Sequence, residues 1–421
     1  MTPSTTEPTT VLPHVRPLLP PAGDARLFLA GSYAGYTQHL AAFGPLDTGS
    51  VGADFTVVLE ASGLTGRGGA AFASWRKLAA TAGSGNAGLL SRRPVVIANG
   101  AEGEPLSLKD RTLLAHAPHL VLDGLLVAAG AVHASLAYVY TTAENLASVQ
   151  SAVTERRDAR HVRLAEAAHA FISGEASAAV NSISGGPALP LDKRRRLSET
   201  GLKGRPTLVL NVETLAHIGL LARYGAGWFR SAGSARDPGT RLVTVAGQGP
   251  EQVLEVAGDA SLHGILDSAG ISPEELSAVL IGGYHGRWVR PLDYRLSPSG
   301  PSHNVVRPGA GVIYTLHPEQ CGLAATAQIT EYLAAQSAGQ CGPCMFGLPA
   351  MADVLNRLAY GERNPRLVRE LERLGKMVSG RGACHHPDGT IQLISSALET
   401  FSQDVKAHLA GRCTRTTGGA R

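Results

Sequence analysis

Ser62-Gly63-Leu64-Thr65-Gly66-Arg67-Gly68-Gly69-Ala70-Ala71-Phe72, running on into Trp75-Arg76-Lys77-Leu78, is the stretch on which the reading of this chain turns. The glycines strip the backbone of Cβ atoms just before a helical pattern begins. Such a loop leaves N–H groups uncovered at a helix start, where the helix dipole favours an anion. Lys77 adds a positive charge about one turn inside the helix. No Gly-Lys-Ser/Thr follows, which excludes the phosphate loop of ATP-using enzymes. Taken alone, the loop reads equally well as an anion cradle or as a tight turn that needs glycine.

Outward from it lie three more polar loops. Pro94-Val95-Val96-Ile97-Ala98 is a short apolar run that delivers Asn99-Gly100-Ala101-Glu102-Gly103-Glu104-Pro105, with Lys109-Asp110-Arg111 behind it. Thr207-Leu208-Val209-Leu210 ends likewise in Asn211-Val212-Glu213-Thr214, and Ser173-Gly174-Glu175-Ala176-Ser177 stands between the two. Buried strands that each end on a polar residue, alternating with helical patterns, predict a layered α/β domain over about 26–238. Each polar loop alone reads as well as a solvated turn.

Downstream, Leu242–Val245, Val253–Val256 and Val279–Ile281 predict strands, with a helix from Leu262 to Ala269 between the second and third. Gly282-Gly283 is expected to close the last of them. This makes a small unit over about 239–300. From 316 to 412 the periodicity is helical: Ala325, Ile329 and Leu333; then Leu348, Met351, Leu355 and Leu358; then Leu367, Leu371, Leu374 and Val378; then Ile394, Leu398, Phe401, Val405 and Leu409. Steps of three and four put each set on one helix face, and four such faces make a bundle. Residues 1–25, rich in Thr and Pro, read as a flexible segment without a secretory pattern.

Composition narrows the class. The 421 residues include 50 glycines, about 12% against a usual ~7%. The formal charge of +4 offers no nucleic-acid footing. The most apolar stretch, His119 to Tyr140, carries Asp123, Gly124, Gly130 and His133 and reads as a buried helix entering a strand, not a membrane span. All five cysteines (Cys321, Cys341, Cys344, Cys384 and Cys413) fall in the last quarter, which points to a metal site in a reducing compartment. The expectation is a cytoplasmic protein with no membrane insertion.

In their order, the glycine loop, Asn-x-x-Glu-x-Glu-Pro, Gly-Glu and Asn-Val-Glu-Thr resemble the NADH-binding flavoprotein subunit of respiratory complex I, a family shared with bacterial hydrogenase and formate dehydrogenase subunits. The likeness runs from about Leu59 to Ser402. It implies an FMN-binding α/β domain, a β-grasp soluble-ligand-binding domain and a four-helix iron–sulfur domain. It also implies an NAD(P)H dehydrogenase passing electrons between NAD(H) or NADP(H), FMN and a cluster, within a hetero-oligomer, with a ferredoxin-like or 2Fe–2S protein as outside partner. By this resemblance Gly66, Arg67, Gly68, Gly69, Asn99, Glu102, Glu104, Gly174, Glu175, Asn211 and Thr214 surround FMN. Phe72, Lys77 and Lys193 match positions near the dinucleotide, and Glu102 and Glu175 are the candidate catalytic carboxylates. The flavin itself would carry the hydride chemistry.

Cys341-Gly342-Pro343-Cys344, with Cys384 further on, resembles the family's cluster-binding pattern, thiolates being suited to iron. Ala338 stands at the first cysteine position, leaving a 4Fe–4S cluster completed by His385, His386 or solvent, a 3Fe–4S form, or loss of the cluster and relic core thiols. Cys321 and Cys413 match no cluster position and read as a packing thiol and a tail thiol. Other departures are Ala101 and Ala176, where the family has acidic residues, and Leu210, where it has Asn. Arg196 replaces an adenine-stacking Phe within Lys193-Arg194-Arg195-Arg196, a run that reads as a solvated loop, a 2′-phosphate grip or a docking patch for an acidic partner. A non-catalytic electron-transfer or assembly subunit, keeping fold, FMN and cluster, is the alternative these departures leave open.

Overall fold

A computed structural model describes residues 25–48, 51–85, 92–191, 195–298 and 304–415. The expected N-terminal segment, apart from residue 25, and Lys193 lie outside the described residues.

The first unit is built on four parallel strands, β1 (Val95–Gly100), β2 (Leu136–Thr141), β3 (Val162–Glu166) and β4 (Thr207–Asn211), in the order β3-β2-β1-β4. Val95, Val96, Ile97 and Ala98 are all fully buried, as a strand covered on both faces requires. Helices Pro118–Ala131 and Val212–Phe229 pack together on the sheet. Pro118 sits at the first turn of its helix, and the preceding helix Lys109–His116 meets it at 96°, since proline cannot continue a helix through its own ring. No single helix among the described residues is long and apolar enough to cross a membrane, and this bent pair lies mostly buried in the core.

The second unit adds β5 (Thr240–Ala246), β6 (Gln252–Ala257), β7 (Ala278–Ile281), β8 (Arg287–Val289), the short pair β9 (Arg295–Leu296) and β10 (Val305–Val306), and β11 (Val312–Leu316). Its five-stranded sheet runs β6-β5-β11-β7-β8, parallel only between β5 and β11. Helix Leu262–Ser268 follows the first hairpin, giving the β-grasp arrangement. Gly282 and Gly283 do not end this sheet. They turn the chain into β8, and the central strand β11 arrives from beyond residue 300. Its non-local pairing leaves no local mark in the sequence.

Four helical runs follow, Gly322–Ala335, Leu348–Ala359, Leu367–Val378 and His386–Thr400, the last continuing after a bend as Ser402–Leu409. The bend falls at Phe401, whose buried ring meets Trp288 edge-on with centroids 5.2 Å apart, while the Thr400 hydroxyl donates to the Trp288 carbonyl. The apolar period runs on through the bend, so the sequence reads as one helix.

A buried carboxyl ties the start of the described chain to β6. Glu255 Oε2 accepts the backbone N–H groups of Arg26 and Leu27, and Oε1 accepts the Thr240 hydroxyl. Burial pushes this carboxyl from its ordinary 4.5 up to about 7, against the pull of those hydrogen bonds. The folded state therefore holds a proton that the unfolded state gives up, and stability falls as pH rises from about 4.5 to about 7. Glu255→Gln is expected to flatten that slope and to stabilise the protein by about 3 kcal/mol above the window. Urea midpoints at pH 5 and pH 8 check it, and an unchanged slope refutes it.

Candidate functional site

The carboxyl ends of β1 and β4 position the site, as open parallel sheets place ligands outside those ends. Asn99 and Asn211, 112 residues apart, are register partners across the two strands. Asn99 Nδ2 donates to the Gly174 carbonyl at 2.9 Å, tying the second polar loop to the third. A Cβ on Gly103 would lie 2.2 Å from the Phe171 carbonyl oxygen, so these loops meet backbone to backbone only because that residue is glycine. Asn211 caps the helix Val212–Phe229, its Oδ1 accepting from Glu213 N at 3.0 Å, and its Nδ2 donates to Asp110 at 2.6 Å.

Three carboxylates serve the backbone. Glu102 accepts the N–H groups of Asp110 and Arg111, both at 3.1 Å, and so caps the helix Lys109–His116. Burial and then Asp110 lift its carboxyl to about 6, opposed by Lys109 and by hydrogen bonds from Ser107 and Asp110. Glu104 accepts Tyr284 N at 2.7 Å, joining the loop to the Gly282-Gly283 turn, and burial lifts it to about 7. Glu175 Oε2 accepts Ser177 N and Ala178 N and caps the helix Ala176–Ile183. Neither candidate catalytic carboxylate stands apart from the framework.

The glycine loop closes on itself through Gly66 N–H to the Phe72 carbonyl at 2.8 Å, and helix Ser74–Gly85 follows it. Arg67 N donates to Thr214 Oγ1 at 2.9 Å, which holds the loop against the helix that Asn211 caps. Gly68 faces Asn211, where a Cβ would stand 3.3 Å from the Asn211 Cβ.

Beneath the loop is a tight cleft of about 10 Å³, room for about one water, lined by Gly66, Arg67, Gly69, Lys109, Glu213 and Arg241 among others. Pro308, Gly309 and Gly311 wall its far side. Lys109 Nζ lies 2.6 Å from Asp110 and 3.0 Å from Glu213, all three buried. Burial works to lower the lysine's pKa, but Asp110, Glu213 and Glu102 outweigh it and hold it well above its ordinary value. Arg67 and Arg241 are shifted the other way, chiefly by burial. Arg67 Nε and Arg241 Nη2 have no hydrogen-bond partner among the described residues. Buried donors left orphaned at a cleft wall fit anionic oxygens of a ligand.

At the rim, Phe72 is 48% exposed, an aromatic face open to stacking. Lys77 Nζ reaches the Val209 carbonyl at 3.5 Å, and burial lowers its pKa against the pull of Glu175. Arg195 and Arg196 are exposed.

The Cys344 sulfur lies beside Cys341 and Cys384, and burial, then these two thiols, push it up to about 12. The N–H of Ala338 donates to the same sulfur. The segment that lacks a cysteine therefore still reaches the cysteine site. His386 is committed elsewhere, with Nε2 2.8 Å from the Leu333 carbonyl and Nδ1 3.1 Å from His285 Nε2, so it does not complete the set. His385, next to Cys384 in the chain, is 91% exposed.

The sequence reading passed over Arg241 and the Pro308–Gly311 wall, which arrive from the second unit. A lone arginine near the start of an apolar strand, Thr240-Arg241-Leu242-Val243, was the signal available.

A parallel sheet opening on this cleft, a β-grasp unit and a helical unit with clustered thiols define the electron-transferring flavoprotein class. Residues 59–220 match the Nuo51 FMN-binding domain, and residues 324–408 match the iron–sulfur binding region of NADH-ubiquinone oxidoreductase-F. The F 2 polypeptide of the NADH-quinone oxidoreductase of Rhizobium meliloti (strain 1021) is 28% identical over 380 residues, covering 84% of this chain and 88% of that protein. The mitochondrial NADH dehydrogenase (ubiquinone) flavoprotein 1 of Dictyostelium discoideum is 28% identical over 383 residues, covering 83% and 77%. A solved NAD+-reducing nickel–iron hydrogenase in its air-oxidized state superposes with a TM-score of 0.79 at 25% identity, over 86% of this chain. This chain spans 64% of that hydrogenase chain. Over these two regions the chain is a complex I 51 kDa-like flavoprotein, with regions for FMN and for a 4Fe–4S cluster.

Proposed function

We propose that this chain is the NADH-oxidising subunit of a larger assembly, taking electrons from the dinucleotide at the glycine loop and delivering them through the helical unit to a ferredoxin-like or 2Fe–2S partner. The observation that carries this reading is the pair of buried donors without a hydrogen-bond partner among the described residues, Arg67 Nε and Arg241 Nη2, at a glycine-walled cleft whose loop side, Gly66 to Glu213, lies in the region that matches an FMN-binding domain. FMN, when bound, supplies the conversion of a two-electron donor into single-electron transfers.

The chain's own residues hold and shield. In this reading Gly66, Arg67, Gly68, Gly69, Asn99, Glu104, Gly174, Asn211 and Thr214 frame the flavin, Phe72 stacks on the nicotinamide dinucleotide, and Lys77 and Lys193 attract its phosphates. Glu102 and Glu175 act as positioning residues, because both cap helices, Glu102 the one that carries Lys109. Cys341, Cys344 and Cys384 hold the cluster, with His385 or solvent at the fourth position. We assign FMN and dinucleotide binding to 26–238, a β-grasp unit to 239–300 and the cluster to 316–412. The five free cysteines suit a reducing, cytoplasmic setting.

The test is an anaerobic titration of the purified protein with NADH and separately with NADPH, following flavin and iron–sulfur absorption together. NADH is expected to bleach both. Bleaching by dithionite alone would favour an electron-transfer subunit without a dinucleotide site, which Ala101 and Ala176 would then explain. Preference for NADPH would assign Arg195 and Arg196 to its 2′-phosphate.

A further inference from the structure

Cys321 and Cys413 belong to no part of the flavin or cluster sites, yet the fold brings them to one histidine. The ligand atoms of Cys321, His408 and Cys413 all lie within 4.8 Å of one another. We propose that these three residues form a second metal site, separate from Cys341, Cys344 and Cys384, that takes a thiophilic divalent cation such as Zn²⁺ and clasps the end of the described chain onto the helical unit.

The geometry suits that chemistry. Cys321 Sγ stands 3.5 Å from His408 Nε2. Two ligands of one tetrahedral zinc, with Zn–S of about 2.3 Å and Zn–N of about 2.0 Å, are separated by roughly 3.6 Å. His408 is buried, and its Nδ1 lies 3.2 Å from the Leu358 carbonyl. That bond places the ring proton on Nδ1 and leaves the Nε2 lone pair facing the sulfurs, as metal-binding histidines are held.

The approach of Cys413 is also built. Beyond the final helix, Gly411 N–H returns to the His408 carbonyl and Arg412 N–H to the Ala407 carbonyl. The Thr414 hydroxyl donates to Asp404, and Arg415 donates to the Pro318 carbonyl at 2.9 Å, three residues before Cys321. Both flanks of the proposed site are therefore pinned without help from a metal. Cys413 is exposed, so a cation has a path in and solvent takes the fourth position. Binding would displace the two thiol protons. Cys321 and His408 are 87 residues apart, at the start and end of the helical unit, so the ion would cross-link its two ends.

The experiment uses the full chain, purified anaerobically with its iron content measured. After exposure to excess Zn²⁺ and removal of unbound metal, the wild type is expected to hold about one zinc per chain more than Cys413→Ser, with iron equal in both. Cobalt in place of zinc should give the visible bands of tetrahedral thiolate ligation, absent from the variant. Chelation should lower the melting temperature of the wild type and leave Cys413→Ser unmoved. Equal zinc in the two proteins, no zinc in either, or a Cys321–Cys413 disulfide in the anaerobic protein would each overturn the proposal. Equal iron in the two proteins separates loss of this site from general misfolding.

Discussion

Cys344→Ser is expected to empty the cluster site while leaving the flavin in place. The proposed cluster site has three cysteines, with Ala338 at the position of a fourth in the family pattern, and thiolates are the usual ligands of iron–sulfur clusters. Removing one leaves two, too few to retain the metal. Loss of an outer hydrogen-bond partner already weakens metal sites ~10–100-fold, so loss of a direct ligand here should cut bound iron at least that far. Cys344 is the right member to change, since its sulfur interacts with both other thiols and with the Ala338 N–H. Burial and the neighbouring thiols push the Cys344 thiol up to about 12, so this residue would give up its proton on binding metal. Iron, acid-labile sulfide and flavin per chain are the measurements. Full iron in Cys344→Ser would remove these cysteines from the cluster and leave them as packing thiols.

Lys109→Met attacks the other end of the molecule and should be the most destabilising single change near the flavin cleft. The lysine is 3% exposed and lies between Asp110 and Glu213, which are equally buried. Methionine keeps the length and apolar stem but takes the lysine from both carboxylates, leaving Glu213 with Arg67 at 4.0 Å. Breaking a buried pair by removing one partner costs about 3–5 kcal/mol, most of it the stranded charge. Glu213 also accepts Leu242 N at 2.8 Å, and Asp110 holds Asn211, so the loss would spread to β5 and to the helix cap at the end of β4. The double variant Lys109→Met with Glu213→Gln should recover part of the stability by removing one of the stranded charges. Chemical denaturation of the three proteins decides it. A cost below 1 kcal/mol for the single variant, or no recovery in the double, would mean that the cluster is solvated and not the keystone of the cleft.

These two residues mark how unevenly the site was legible. The glycine loop, both asparagines and the three cysteines stand in local patterns, and the chain order of those patterns was enough to carry the family resemblance. Lys109 was visible only as part of a charged turn. Asp110 is its neighbour in the chain, but that Glu213 is its other partner follows from the pairing of β1 with β4, in which Asn99 meets Asn211. Arg241 and the Gly309–Gly311 wall reach the cleft from a different unit. Glu102 and Glu175 entered as candidate catalytic carboxylates through the family resemblance, and the fold gives both a helix-capping role that no local pattern announced.

The alternation of buried strands and helices, the apolar faces of the C-terminal helical runs and the chemical character of each loop were written in the order of residues, because all three depend on neighbours within a turn or two of one another. What those loops meet was settled by packing. Strand order, the passage of β11 into the middle of the second sheet, the placing of Arg67 and Arg241 at one cleft and the meeting of Cys321 with His408 and Cys413 are contacts between residues far apart in the chain. Local propensity carries no record of them, since their energy comes from burial and charge pairing that exist only once the units have come together.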